Sequence, residues 1–221
     1  MEYKRTPAEI ERTSLSIIDR ELEARGILLP PEQAPVVRRV IHTTADFDFA
    51  KTLTFTPRAV SRALSALSQG ATIITDTNMA KAGVSVSGLG RLGGQALCFM
   101  ADPDVAARAK AEGTTRAVAA VKHAAAHWSG AMFAVGNAPT ALFQLADEIE
   151  AGCRPSLVVA VPVGFVNVVE AKEKIWETCL AHNIPAIVAR GRKGGSPVAA
   201  AICNALIYAA ADLTDPAQRG W

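Results

Sequence analysis

Aromatic residues are scarce in this chain: Phe, Trp and Tyr make up 5% of 221 residues, although half of the chain is apolar. Much of that apolar content is Ala and Val, whose small side chains suit close packing of helices on a sheet. Cysteine is also sparse. Cys98, Cys153, Cys179 and Cys203 form no C-x-x-C pair, so the expectation is four reduced, mostly buried thiols in a cytosolic protein. There is no excess of one charge. The formal net charge is +2, which gives no reason to expect nucleic acid or an anionic membrane as partner. Long apolar runs are missing: PVAAAICNALIYAAA is too short to span a bilayer and contains Asn204. The start, MEYKRTPAEIERTS, is too charged for a signal peptide.

Several catalytic signatures are absent. Neither G-x-x-x-x-G-K-[ST] nor G-x-S-x-G occurs, so neither a P-loop nor a serine-nucleophile elbow is expected. His123 and His127 stand four apart, but HAAAH lacks the glutamate of H-E-x-x-H and no third ligand is signalled. No metal site is expected. Gly88-Leu89-Gly90-Arg91-Leu92-Gly93 matches G-x-G-x-x-G literally. It precedes an apolar run instead of following one, the wrong side for a dinucleotide fingerprint.

What is present is an alternation. Short apolar runs occur at ATIIT (71–75), QALCFM (95–100), AMFAV (131–135), LVVAV (157–161) and PAIVA (185–189), with KTLTF (51–55) as a possible sixth. They are continuous, as strands buried on both faces are. Helical stretches are expected near 57–69, 103–111, 115–128, 138–151, 168–182 and 197–211. Thr56-Pro57, Asp102-Pro103 and Ser196-Pro197 read as N-caps followed by proline. The alternation predicts an α/β fold, with a mostly parallel sheet of five or six strands covered on both faces. Thr6-Pro7-Ala8-Glu9 reads as a capping box opening a helix that runs to about Arg25 and stops at Gly26. A second helix is expected from Val36 to about Thr44. The length suits a single domain: a helical arm over 1–50, an alternating core over 51–211 and a tail over 212–221.

Open α/β sheets bind ligands at the carboxyl ends of their strands. Those ends read TDTNM, MADPD, GNAPT, VPVGF and ARGRKGGS. GNAPT and GRKGGS lead into helices whose N–H groups would favour an anion, with Arg190, Arg192 and Lys193 adding positive charge. Asp76, Asn137 and Arg192 are candidate ligand contacts by their places at these ends. On the helix over 115–128, Val118, Val121, Ala125 and Trp128 share one side. Arg116, His123 and His127 share the other, either a solvated stripe or a cleft wall. His182 fits a cation at a helix C-terminus. His42 lies in VIHTTADFDFA. At ~100° per residue it points away from Val36, Val37, Val40, Ile41 and Thr44, toward Arg38 and Arg39. That leaves it exposed or lining a cleft, and the arginines would lower its pKa. Thr43 is off the buried stripe and Thr44 on it. Asp46 and Asp48 either orient the histidine or cap the turn before KTLTF.

Taken together, VIHTTADFDFA, ITDTNM, GNAPTALF, VPVGFVNVVEAKE and RGRKGGSPVAAAICNAL resemble the precorrin-8X methylmutase family, which includes cobalt-precorrin-8 methylmutases. The resemblance runs from about Glu11 to Ala209. The tail DLTDPAQRGW resembles nothing recognisable. The resemblance implies a cytoplasmic, homodimeric isomerase of corrin biosynthesis with a flavodoxin-like α/β/α fold. The substrate it implies is precorrin-8X or cobalt-precorrin-8, whose methyl group moves from C-11 to C-12. No cofactor is implied, since the methyl migrates within one molecule. By resemblance His42 is the catalytic histidine, Arg116 matches a substrate-binding arginine and Ser14 an active-site serine, and Ser85, taken as a further substrate contact, falls where the family also has a hydroxyl. Two other classes remain open: a nucleotide- or phosphometabolite-binding α/β enzyme, and a corrinoid-binding carrier without catalysis.

Overall fold

The computed structural model describes residues 6–219. Six strands form one sheet: β1 (Leu53–Phe55), β2 (Ile73–Thr75), β3 (Ala96–Leu97), β4 (Met132–Val135), β5 (Leu157–Ala160) and β6 (Ala186–Ala189). Their order is β1-β6-β5-β4-β2-β3. β2 to β6 run parallel, and β1 is antiparallel to β6 at one edge. The five parallel strands follow the flavodoxin-like order, so the chain reverses its direction of travel between β2 and β4.

The apolar runs are continuous because both faces of the sheet are covered. Met132 and Ala134 point to one face, Phe133 and Val135 to the other, as the period of a strand requires. The first face carries α1 (Pro7–Ala24), α2 (Ala34–Thr44), α4 (Ala59–Ser68) and α11 (Ser196–Ala210). The second carries α7 (Pro103–Ala111), α8 (Arg116–His127), α9 (Pro139–Glu150) and α10 (Val168–Ala181). The helices expected from the sequence are present, most within a residue or two of their expected bounds. Three short ones were not anticipated: α3 (Phe49–Thr52), α5 (Asn78–Gly83) and α6 (Val86–Arg91).

Local chemistry explains most helix ends. The Thr6 hydroxyl accepts from the Glu9 amide while the Glu9 carboxylate returns to Thr6, the expected capping box. α1 ends before Gly26, at φ +66°. α2 ends on Ala45, itself in the left-handed region at φ 54°. His182 caps the end of α10. The expected Thr56 and Ser196 caps do not form. The Thr56 hydroxyl accepts from the Ala186 amide, tying β1 to β6, and α4 starts three residues later. Ser196 already lies inside α11, hydrogen-bonded to Thr77 at 2.7 Å. Asp102 stands at the N-cap of α7 without a side-chain bond to it.

The GLGRLG stretch owes its glycines to packing. Its first four residues lie within α6. A Cβ on Gly88 would meet Ile207 of α11 at 2.7 Å. No strand-to-helix turn exists there for a pyrophosphate. All four cysteines are free, and burial pushes the Cys179 and Cys203 thiols up to about 12. Among the described residues no helix is long and apolar enough to cross a membrane. Residues 213–219 of the expected tail fold back as a hook that includes a 3-10 turn, Pro216–Gln218. Residues 1–5 of the expected arm and 220–221 of the tail lie outside the described residues.

Candidate active site

α2 presents one apolar stripe. Val36, Val37, Val40 and Ile41 are each at most 2% exposed, and burying side chains of this kind contributes about 1.5–3 kcal/mol apiece. His42 is off that stripe and half-buried, and its imidazole makes no hydrogen bond among the described residues. Its pKa is held below the usual histidine value. Burial contributes most, followed by the charge of Arg39 and, more weakly, Arg219; Glu11 opposes them. The expected effect of a neighbouring arginine is present but second to burial.

Asp46 and Asp48 do not orient the histidine. One Asp46 oxygen accepts from the Asp48 amide at 3.0 Å, closing the turn. The other faces Lys193 Nζ at 2.6 Å, and Asp48 faces the same ammonium at 2.7 Å. Lys193 holds the Asp46 carboxyl below its ordinary range. This bridge brings the end of α2 to the loop after β6, and so to the carboxyl rim of the sheet.

At the switch point between β2 and β4 the rim is closed by the protein itself. Asp76, 7% exposed, accepts from the amides of Gly136, Asn137 and Ala138, each at 2.8 Å. Burial nonetheless holds its carboxyl above the ordinary value. The GNAPT amides expected to receive a ligand anion thus already hold an internal one. Asp76 braces this loop, with both carboxylate oxygens engaged by its amides. The N-terminus of α11 is equally crowded: a Cβ on Gly136 would meet Ser196 Cα at 2.7 Å.

The expected cationic run is also partly spent. Arg190 pairs with Glu173 and lies over the Trp176 ring. Lys193 is taken by the two aspartates. Arg192 alone is exposed without a carboxylate partner among the described residues, its guanidinium 5.6 Å from the centroid of Phe165. Phe165 and Val166 beside it are 83% and 76% exposed.

Arg116 opens α8. It is exposed and likewise has no carboxylate partner among the described residues. The preceding Thr115 lies 3.2 Å, hydroxyl to hydroxyl, from Thr140 in the first turn of α9. That contact places Arg116 on the same rim as Asn137, whose side chain is exposed. The buried side of α8 runs through Ala117, Val121 and Ala124, with Val118 only partly covered. His123 is not a solvated stripe residue: its ring packs edge-on against Phe99 at 4.9 Å. Among the described residues no three His, Cys, Asp or Glu gather as a metal site.

The remaining predicted residues are spread out. Thr43 is exposed beside His42 and donates to the Arg39 carbonyl. Thr44 donates to the Val40 carbonyl. Ser14 on α1 donates to the Ile10 carbonyl, one turn from Glu11. The Ser85 hydroxyl accepts from the Gly88 amide as the cap of α6, and its own amide is held by Asn204 at 2.7 Å.

Two features escaped the sequence reading. Lys172 is fully buried and donates to the carbonyls of Gly191 and Lys193 at 2.8 and 2.9 Å. Burial alone lowers its pKa to about 8. Its signal was present, because it falls on the apolar stripe of Val168, Ala171 and Ile175. Glu11 likewise falls on the stripe of Ile18 and Leu22, and its carboxylate joins Arg39 and Arg219.

The strand order and the doubly covered sheet define a flavodoxin-like α/β protein whose loop amides at the switch point are taken by Asp76. The chain belongs to the precorrin-8X methylmutase family, whose sequence pattern matches residues 9–209. These proteins are isomerases that catalyse an intramolecular methyl migration in corrin biosynthesis. It is 42% identical to the cobalt-precorrin-8 methylmutase of Salmonella typhimurium, over 94% of this chain and 98% of that one. It is 37% identical to the precorrin-8X methylmutase of Pseudomonas aeruginosa, over 93% and 97%. The crystal structure of the precorrin-8X methylmutase from Thermus thermophilus superposes with a TM-score of 0.83 at 42% identity, covering 92% and 98%.

Proposed function

We propose that the chain moves the C-11 methyl of precorrin-8X or cobalt-precorrin-8 to C-12, with His42 as proton donor. The observation that carries this reading is the state of His42. Its imidazole is half-buried and unpartnered, while the acids that follow it are engaged by Lys193. A ring nitrogen therefore remains for the substrate. The bond from the methyl carbon to C-11 breaks as the bond to C-12 forms. No methyl donor, hydride carrier or resident metal enters the balance, and cobalt, when present, is part of the substrate. A proton or hydrogen bond lent by His42 stabilises the tautomer from which the methyl migrates, and returns when the product leaves. Arg116 and Arg192 are suited to peripheral carboxylates of the macrocycle. Thr43 beside His42 and Asn137 on the rim of Arg116 offer exposed polar groups, the Ser14 hydroxyl can still accept a hydrogen bond and the Ser85 hydroxyl can still donate one.

The chain is read as a cytoplasmic homodimer. The resemblance supports this, and the dimer is further supported by Met79 and Val86, 68% and 78% exposed at an apolar groove of about 580 Å³ lined by Val86, Leu89, Ala82 and Ala96. The nucleotide reading loses its support, since GLGRLG is largely helical and Asp76 occupies the loop amides.

The test is absorbance. Enzyme is added to precorrin-8X and to cobalt-precorrin-8, with no nucleotide and no methyl donor. A spectral shift to the corrin product is expected with one or both. His42→Ala is expected to bind product and to lose turnover. Wild-type turnover in that variant would remove His42 from the mechanism. A strict need for NAD or ATP would restore the nucleotide reading, and binding without turnover by the wild type would indicate a carrier.

A further inference from the structure

The family's sequence pattern ends at residue 209, before the hook. The hook is nevertheless built into the arm that carries His42. Arg219 donates to the carbonyls of Leu213 and Thr214, each at 2.8 Å, which folds the hook on itself. Its guanidinium also reaches Glu11 of α1 and lies 4.0 Å from the centroid of Tyr208 on α11. Arg39, three residues before His42 on α2, bonds the same Glu11 oxygen at 2.6 Å and faces the same Tyr208 ring at 5.3 Å. Arg12 adds an outer tie to Asp215 at 2.6 Å. All three members of the triad are largely covered, with side-chain exposures of 15% for Arg39, 6% for Glu11 and 7% for Arg219.

We propose that Arg219 is a positioning and charge-setting residue for His42, acting by completing a buried Arg39–Glu11–Arg219 triad. One carboxylate shared by two guanidiniums leaves net positive charge beside the imidazole. The charges that face His42 are Glu11 from α1, Arg39 from α2 and Arg219 from the hook. α11 contributes only the Tyr208 ring to the triad. Beyond His42 on the chain, Asp46 and Asp48 share the single ammonium of Lys193, and none of the three is among the charges that shift His42. Without ligand this surplus favours the neutral histidine. A polycarboxylated substrate reverses the local charge, so proton uptake by His42 is coupled to substrate binding. Its kinetic consequence rests on the reading of His42 as proton donor; the electrostatic one does not.

The experiment uses the full chain and follows the His42 imidazole by proton NMR titration, assigned by its loss in His42→Ala. Arg219→Met keeps the stem over Tyr208 and removes the charge. It is expected to move the His42 titration to higher pH, and Arg219→Lys to leave it near the wild-type position. Glu11→Gln is expected to move it to lower pH. A folded Arg219→Met with an unmoved titration overturns the proposal, as does an equal shift in Arg219→Lys. If Arg219→Met does not fold, Glu11→Gln decides by the same sign. The alkaline limb of kcat/KM is measured beside the titration. If the titration moves and the limb does not, the triad stands and His42 is not the proton donor.

Discussion

Lys193 Nζ lies 2.6 Å from the Asp46 carboxylate, across 147 residues of sequence. It joins the loop after β6 to the turn that follows His42. Breaking it with Lys193→Met is expected to leave the melting temperature nearly unchanged, because exposed ion pairs contribute little to stability. Turnover is expected to fall about tenfold, since small displacements of a catalytic group cost rate steeply. Parallel thermal melts and assays check this, and an unchanged rate would confine the bridge to the surface.

His42 has a depressed pKa, first from burial and then from Arg39. A donor must be protonated, so kcat/KM, which reports the free enzyme, is expected to fall as pH rises through a midpoint below 6.5. Lowering the salt concentration should move that midpoint further down, because the arginine charges are then less screened. A pH–rate series at two ionic strengths is the measurement. A limb that rises with pH would instead mark His42 as a base.

Arg116 and Arg192 are rim arginines without a carboxylate partner among the described residues. Hydrogen bonds to charged groups contribute about 1.5–3 kcal/mol. Arg116→Ala and Arg192→Ala are therefore each expected to raise KM by about ten- to a hundredfold. Stability should change little, as neither side chain is packed in the core. Steady-state kinetics with melting controls separate the two effects.

Lys172 holds the loop of Arg192 from below, with a pKa lowered to about 8. Its folded value is depressed below the 10.5 of the free group. The cost of burying the charge is present below pH 8 and is relieved as pH rises from about 8 toward 10.5. Wild type is expected to gain stability relative to Lys172→Met across that window, by on the order of 3 kcal/mol. Urea unfolding of both proteins from pH 7 to 10 reads the difference. At pH 7 the variant should also show faster proteolysis within 190–195.

The strands and main helices were legible because they depend on local pattern. Continuous apolar runs such as LVVAV and AMFAV, short and bounded by turn residues, suit strands covered on both faces, and both faces are covered. The position of His42 off the α2 stripe was legible for the same reason, since helical periodicity places side chains without knowledge of partners. α5 and α6 were not legible. Their short runs lack a full amphipathic period and are held by contacts with α11, among them Asn204 on the Ser85 amide.

The sequence by itself determined a doubly covered, mostly parallel sheet, a histidine on the open side of its helix, and the family to which those residues belong. Only the tertiary structure decided which charges are free to meet a ligand. Asp76 had the right place at a strand end, yet folding spends both of its oxygens on loop amides. Lys193 and Arg192 are neighbours in sequence, yet one is neutralised by Asp46 and Asp48 while the other stays open. Helical and strand periods act over a few residues. Charge pairing acts through space, and its partners become neighbours only when the chain has folded.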